Sequence, residues 1–311
     1  MGADARVMAL PGGVSNDVYL IHSASGDLVV KHPLPRLRVA DEWRADTSRV
    51  VREGLALQTF GRLTPGCVPP VIDLDVDAEI LTLAYAPSSW RDWRAELLDG
   101  RAAEPWIAAE LGRVAGTWHR ATSDGTGVSP ELVDQRSFRE LRLDPYHGTV
   151  ASRHLDLREP LEAVTDELRV GSCLVHGDFS PKNVLVGRDQ LWVLDAEVAH
   201  VGDPVFDLAF LHSHLILKSV ARPALGSALA ACARAFDDSY AATSPETASS
   251  ARGRLTRHLG ALLLARVDGR SPADYLSADE QVRVRELGRA ALCDGVDPWT
   301  VVVGTSRPGS P

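Results

Sequence analysis

The chain has 311 residues, 45% hydrophobic and 24% charged, an ordinary globular composition that can bury a core in one large or two modest domains. Its net charge of −9 leaves no basic stripe for a phosphate backbone, so no nucleic-acid partner is expected; the acidic excess reads first as solubility charge and second as suited to a cationic substrate. Cys67, Cys173, Cys232 and Cys293 are widely spaced without a C-x-x-C pair, so neither a zinc site nor a disulfide framework is expected, and they read as reduced thiols. Neither MGADARVMAL nor the most apolar later run, LGALLLARV from Leu259, approaches the roughly 20 residues of a membrane span. The expectation is a soluble, cytoplasmic protein, monomer or homodimer, with no membrane partner.

The first part of the chain reads as strands with one helix. LPGGVSNDVYLIHSA, from Leu10, and GDLVVKH, from Gly26, cluster Val, Leu, Ile and Tyr around a Gly-Asp turn, the pattern of a hairpin. DTSRVVREGLALQTF offers Asp46 or Thr47 as an N-cap and then Val51, Leu55, Leu57 and Phe60 as the apolar residues of a helix. VPPVIDLDVDAEILTLAYAP predicts a second hairpin with DVDAE at its turn and a strand ending near Tyr85. Beyond this the character becomes helical. In EPWIAAELGRVAGTWHRAT, Ile107, Leu111, Val114 and Trp118 recur at helical spacing behind Pro105. Residues 123–134 read as a surface loop, and the Ala-, Leu- and Arg-rich sequence after Leu211 is broken at RPALG, TSPETASS and DGRSP. The expected organisation is a small mixed lobe over 1–86, a larger, mostly helical lobe over 87–304, and a frayed tail over 305–311.

The chemistry concentrates in LVHGDFSPKNVLV, from Leu174 to Val186, followed by a GRDQ turn, the strand LWVLD and then AEVAHVGDPVFDLAF. If VLV and LWV pair as a hairpin, the loop before it and the segment after it emerge at one end, which brings Asp178, Asn183 and Asp195 together. Three oxygen-bearing side chains converging there suit a hard cation such as Mg2+, which leaves sites open for phosphate. Phosphoryl transfer also needs a carboxylate to take the proton of the attacking hydroxyl.

HGDFSPKNVLV with VLDAE and GDPVFDLA resembles the aminoglycoside phosphotransferase and choline kinase group, small-molecule kinases with a protein-kinase-like fold. Their H-G-D-x-x-x-x-N loop corresponds to the H-R-D-x-x-x-x-N of protein kinases, and their D-x-E or D-x-D to the D-F-G. The resemblance implies an α+β fold of two lobes, the smaller with an antiparallel sheet and the larger mainly helical. It implies Asp178 as catalytic base, Asn183 as a metal ligand, Asp195 as the ligand bridging Mg2+ to the phosphates of ATP, and Glu197 as a residue touching a second metal. Asp207 is implied to anchor the catalytic loop and His176 to pack it; Lys182 either steadies the transferring phosphate or is solvated.

In the smaller lobe, Lys31 at the end of LVVKH is implied to pair the α- and β-phosphates, held by Glu53 of VVREGLAL. LPGGVSNDVY is the implied phosphate-covering loop, in which Gly12, Gly13, Ser15 and Asn16 are small enough to let backbone N–H groups approach phosphate oxygens. The adenine is expected against backbone groups from Leu83 to Tyr85. Between Gly12 and Leu57, GGVSN, VKHPLPRLRVADEW and DTSRVVREGLAL also resemble methylthioribose kinases. The catalytic loop departs from those kinases and no adjacent arginine pair is present, so this likeness extends to the fold and to a loop near ATP, not to methylthioribose as acceptor.

The acceptor site is expected among the C-terminal helices. LLLARVDGRSPADYL offers Arg266, Asp268 and Arg270, with a capped helix end as the alternative. Asp237 and Asp238 could bind an ammonium or be solvated, and Trp43, Trp90 and Trp93 could stack on a sugar or pack in the core. The function these residues imply is transfer of the γ-phosphate of ATP to a hydroxyl of a sugar, an aminosugar antibiotic or an amino alcohol. A catalytically inert kinase-fold binding protein is the alternative, against which the set Lys31, Glu53, Asp178, Asn183 and Asp195 is complete. The lack of an H-R-D loop and of an A-P-E segment argues against a protein kinase.

Overall fold

The computed structural model describes residues 5–10, 14–24, 26–38, 43–101 and 103–304; Gly12, Gly13 and the expected tail at 305–311 lie outside them. The N-terminal region is built on an antiparallel sheet of β1 (Arg6–Ala9), β2 (Asn16–His22), β3 (Leu28–Pro33), β4 (Val71–Asp75) and β5 (Ile80–Ala84), in the order β1-β2-β3-β5-β4. The expected hairpin is β2–β3, with Tyr19 opposite Val30. Gly26, at φ +122°, supplies the turn conformation that a side chain would resist. Strand β1 was not expected from the sequence: RVMA is exposed at all four positions, so no buried face marks it, and it forms as an edge strand paired along β2.

Helix α1 (Arg49–Leu63) crosses the sheet and buries Val50, Val51, Ala56, Leu57 and Phe60. Its cap differs from expectation. Ser48 is the N-cap residue, with no side-chain cap bond, because the Asp46 carboxylate instead accepts the Ser48 N–H at 2.8 Å and shapes the turn before the helix.

The C-terminal region opens with β6 (Arg91–Asp92), α2 (Trp93–Leu98) and α3 (Pro105–Ala121), then α4 (Arg136–Phe138), a π-helical stretch at Arg139–Gly148, α5 (Thr149–Arg153) and α6 (Arg158–Glu167). Strand β7 (Cys173–Val175) pairs with β10 (His200–Gly202), and β8 (Val184–Val186) forms a hairpin with β9 (Leu191–Val193). The chain closes with α7 (Val205–Ala221), α8 (Gly226–Thr243), α9 (Pro245–Arg252), α10 (Leu255–Asp268), α11 (Ala278–Asp294) and α12 (Pro298–Gly304). Every residue of α7 is buried, so it is the axis of the helical core. Helices α3 and α8 approach closely because Gly112 lacks a side chain: a Cβ there would stand 2.3 Å from Phe236 O.

The two regions are joined through aromatic packing. Phe60 of α1 stacks on Trp118 of α3 with ring centroids 3.8 Å apart, and Trp118 Nε1 donates to Thr64 Oγ1 at 2.8 Å. Full burial of two rings of this size contributes about 2 to 3 kcal/mol each, which ties α1 to α3.

Candidate active site

The loop between β7 and β8 is held from below. Asp207, in the first turn of α7 and fully buried, accepts the His176 N–H at 2.7 Å and the Gly177 N–H at 2.8 Å; His119 Nε2, at 3.2 Å, shares the same carboxylate. His176 clasps the loop to the far strand: Nδ1 accepts the Asp178 N–H at 3.2 Å, which leaves Nε2 to donate to Leu194 O at 3.0 Å. Burial lowers its pKa, so the ring is a neutral strut. Gly177 has φ +74°, and a Cβ there would meet Val198 O at 2.7 Å, so the turn that aims Asp178 requires glycine.

Asp178 is buried and faces the cleft. Its Oδ2 accepts from Asn183 Nδ2 at 2.9 Å and pairs with Lys182 Nζ at 2.7 Å. Its Oδ1 stands 2.9 Å from Arg142 Nη2 in a geometry that makes no hydrogen bond, and has no other partner among the described residues. Burial would raise the pKa of this carboxyl, but the charges of Arg142 and Lys182 outweigh it and hold the group below the usual carboxylate range.

Lys31, on β3, stands 2.6 Å from Glu53 Oε1 and 3.1 Å from Asp195 Oδ1. Burial opposes its charge, and the carboxylates of Asp195 and Glu53 overcome that opposition and raise its pKa. Asp195 is lowered in turn, against burial, by Lys31 and Lys182. Its backbone sits in the left-handed region at φ +64°, a conformation uncommon outside glycine and concentrated at functional sites. The Leu194 N–H donates to Asn183 O at 2.8 Å, so the segment carrying Asp195 is stitched to the loop carrying Asn183 and Asp178.

Glu197 and Asn16 both line the cleft. Glu197 Oε2 accepts from Asn16 Nδ2 at 3.1 Å and from Arg49 Nε at 3.2 Å, which makes this oxygen part of a clamp between the sheet, α1 and the segment after β9. Fully buried Arg49 completes the clamp by donating to Ser15 O, to Leu34 O at 2.8 Å and to Asp46 O at 2.8 Å. Asn16 is thereby a buried tie of β2 that borders the cleft, and Ser15 beside it also lines the cleft.

All of this opens into one cavity of about 690 Å3 between the sheet and the helical core. One end is apolar, walled by Val18, Val29 and Leu83 from the sheet and by Leu185, Trp192 and Leu194 from the β8–β9 hairpin. Leu83 and Tyr85 border this end, and the Ala84 and Tyr85 N–H groups donate within the chain, to Pro70 O and Asp27 O. Ala86 also lines the cleft, and its N–H has no partner among the described residues.

The residues expected at the acceptor end divide sharply. Arg266 lines the cleft. Asp268 does not: it is gripped by Arg285 at 2.8 Å and His154 at 2.9 Å on the other side of α10. Asp237 pairs with His212 at 2.9 Å on the outer surface and Asp238 is exposed on α8; neither lines the cleft, and nor does Arg270. Among the three tryptophans, Trp43 borders the cleft, Trp93 is core, and Trp90 packs on Trp192 with centroids 5.0 Å apart.

The sequence reading missed Arg142, Tyr146, Phe210, His214 and Tyr275, all at this end of the cleft. Arg142 lies in the π-helical stretch and is cradled by the faces of Tyr146 and Phe210, 5.7 and 5.6 Å from their centroids. The available signal was Pro145, which interrupts a regular helix by removing a backbone donor and lies inside the π-helical stretch.

No group of three or more His, Cys, Asp or Glu that could cage a metal exists among the described residues. Asn183 and Asp195 offer one amide and one carboxylate, the Asn183 amide being oriented by the two bonds its Nδ2 makes to Asp178. Hard oxygen donors in so small a number fit an Mg2+ that keeps its remaining positions for water and phosphate oxygens.

The model of the phosphotransferase enzyme family matches residues 6–245, and the chain belongs to that family. It is 26% identical over 237 residues to methylthioribose kinase 2 of Oryza sativa subsp. japonica, covering 66% of this chain and 55% of that protein. It is 26% identical over 225 residues to the methylthioribose kinase of Geobacillus kaustophilus (strain HTA426), covering 64% and 56%. The chain thus spans little more than half the length of these curated relatives. Among solved structures it resembles the apoenzyme of macrolide 2'-phosphotransferase MphH from Brachybacterium faecium, with TM-score 0.52, 23% identity and coverage of 94% and 93%. It also resembles amicoumacin kinase hAmiN, solved with AMP-PNP, Ca2+ and Ami, with TM-score 0.53, 17% identity and coverage of 94% and 89%. At these identities the structural likeness speaks to the fold, which is the α+β architecture expected from the sequence.

Proposed function

We propose that the chain is a small-molecule kinase that moves the γ-phosphoryl group of ATP, bound with Mg2+, to a hydroxyl of its acceptor. The observation that carries this reading is Asp178, a buried carboxylate that lines the cleft, with Lys182 at Oδ2, Arg142 beside Oδ1, and Oδ1 without a hydrogen-bond partner among the described residues. That unsatisfied oxygen is the candidate to take the proton of an acceptor hydroxyl.

The roles follow from position. The apolar walls around Val29, Leu83 and Leu194 receive adenine, with the Ala86 N–H as the free backbone donor beside it. Lys31, fixed by Glu53, meets the α- and β-phosphates. Asn183 and Asp195 would hold the metal, which when bound neutralises charge on the phosphate oxygens. The acceptor oxygen forms its bond to the γ-phosphorus as the bond from that phosphorus to the bridging oxygen breaks, releasing ADP; Asp178 takes the hydroxyl proton. Lys182 and Arg142 stand where negative charge collects on the transferring group, and positioning with electrostatic stabilisation supplies most of the catalysis of such reactions. Division of the chain into nucleotide and catalytic lobes at 86/87, in the connection leaving β5, and action in the cytoplasm are parts of the same proposal.

The test is 31P NMR of the protein with ATP, Mg2+ and a panel of hydroxylated acceptors. The reading expects ADP and a phosphomonoester to appear together, and both to vanish with Asp178→Asn. Binding of an acceptor without any phosphomonoester, across the panel, would instead mark an inert binding protein.

A further inference from the structure

The acceptor end of the cleft does not share the charge of the chain. Against a net charge of −9, the cleft is lined by five cations, Lys31, Arg94, Arg142, Lys182 and Arg266, and by four carboxylates, Asp178, Asp195, Glu197 and Asp274. Arg142 and Lys182 are bound to Asp178, and Arg94 stands 3.6 Å from the exposed Asp274. Arg266 has no carboxylate partner among the described residues. Its Nη1 donates to Ser271 O and, at 3.0 Å, to Ser271 Oγ. Its Nε is buried without a partner, and Nη2 has none among the described residues. Nε and Nη2 form the edge of a guanidinium that takes two oxygens of a carboxylate or phosphate at once.

Two neighbours strengthen the point. Tyr275 lines the same cavity with a buried hydroxyl that has no hydrogen-bond partner among the described residues, and the buried ammonium of Lys218 stands 5.7 Å from its ring centroid. His214 lines the cavity with no hydrogen-bond partner for its ring among the described residues. Burial, and then the charges of Lys218, Arg266, Lys182 and Arg142, keep that imidazole neutral. Arg266 and Tyr275 thus hold hydrogen-bond donors that have no acceptor among the described residues, on the wall that also carries Lys182 and Arg142.

We infer that the acceptor is an anionic hydroxy compound, whose carboxylate or phosphate is held by Arg266 and Tyr275 while its hydroxyl meets Asp178. The inference rests on the kinase reading and narrows it. Division of labour among the cations supports it: Arg142 and Lys182 are already placed on the transferring phosphoryl group, which leaves the open edge of Arg266 without a ligand. A polycationic amino sugar would press ammonium groups against this wall, and like charges in a cavity of restricted solvent access repel strongly.

The experiment uses the full chain loaded with Mg2+ and AMP-PNP, and calorimetric titration of matched compounds. Gluconate and glycerate form a carboxylate arm, glucose 6-phosphate and glycerol 3-phosphate a phosphate arm. Glucose, glycerol and methylthioribose are the neutral set, and kanamycin and ethanolamine the cationic set. The inference expects binding, and phosphorylation by ATP, of an anionic compound in preference to its neutral and cationic counterparts, and the responding arm identifies the anion. Arg266→Gln should then lower kcat/KM for that compound by about 100-fold, as loss of a buried charge-assisted contact does, with AMP-PNP affinity within about twofold. Turnover of a neutral or cationic compound with the anionic ones inert would overturn the inference. So would nucleotide-loaded protein that binds no anionic compound, or an Arg266→Gln variant that binds one unchanged. Failure to bind AMP-PNP would be visible before any acceptor is added and would count against the kinase reading; anion titrations without nucleotide, with and without Arg266→Gln, then decide the pocket alone.

Discussion

Arg142 Nη2 lies 2.9 Å from Asp178 Oδ1 without donating a hydrogen bond to it. The guanidinium is spent elsewhere, on Gly177 O at 3.1 Å and Leu141 O at 2.7 Å, and its plane is held by two aromatic faces. It therefore lends charge to the carboxylate without satisfying Oδ1 by a hydrogen bond. A base arranged this way is ionised throughout the neutral range.

Asp178→Asn keeps the shape of the site and removes the base. Phosphoryl transfer should fall by about 10^2 to 10^4, with nucleotide affinity nearly unchanged, measured by ADP release and by calorimetry. Turnover within a few-fold of the parent would remove Asp178 from the proton-accepting role.

Lys31 and Glu53 form a buried pair at 2.6 Å, so the two truncations should differ in kind. Lys31→Ala leaves Glu53 and Asp195 facing each other without their shared cation, and loss of one partner of a buried pair costs about 3 to 5 kcal/mol. Since burial has already raised the Glu53 carboxyl to about 7, Glu53→Gln gives up less and should cost clearly less stability than Lys31→Ala. Denaturant midpoints of the two variants check the order, and equal losses would contradict it.

Lys218 is fully buried and, among the described residues, makes one hydrogen bond, to His214 O at 3.4 Å. Burial, and then the charges of Arg94 and Arg266, push its pKa down from 10.5 to about 7. Between those values the unfolded chain binds more protons than the folded one, so this residue makes stability rise with pH across that window; below about 7 the penalty is present in full. Lys218→Met should therefore stabilise the protein at pH 6 to 7, on the order of 4 kcal/mol. The gain should shrink toward zero as the pH approaches 10.5. A shift in Tm that does not vary with pH would argue against the assignment.

Gly177→Ala tests the loop geometry. The substitution places a Cβ 2.7 Å from Val198 O at φ +74°, and left-handed backbone alone costs an alanine about 1 kcal/mol. Turnover should drop at least about tenfold even where the variant remains folded, because the adjoining Asp178 is displaced; a folded variant with full turnover would show that the loop tolerates the shift.

What the sequence revealed was whatever could be read locally. The β8–β9 hairpin, carried by VLV and LWV around GRDQ, placed Asp178, Asn183 and Asp195 at one end, and the structure joins the segments that carry them through Leu194 N and Asn183 O at 2.8 Å. What it concealed depends on tertiary contact. Arg142 is 36 residues before Asp178 in sequence, and nothing nearby marks it as the partner. Arg49 reads as one more polar position of a helix, yet it is fully buried and ties β2, α1 and Glu197 together. Arg266, Asp268 and Arg270 were read together because they are close in sequence, but on a helix the two-residue step from Arg266 to Asp268 turns the side chains about 200° from one another. One therefore reaches the cleft while the other packs against α11.

The central claim is that this cleft holds a magnesium nucleotide for phosphoryl transfer, and calorimetric titration of AMP-PNP with and without Mg2+, on the parent chain and on Asp195→Ala, tests it most directly. The account predicts saturable binding that needs Mg2+ and weakens by about 100-fold or more in Asp195→Ala, the range expected when one of few metal ligands is lost. Binding that ignores both the metal and the substitution, or no binding to the parent chain, would contradict it.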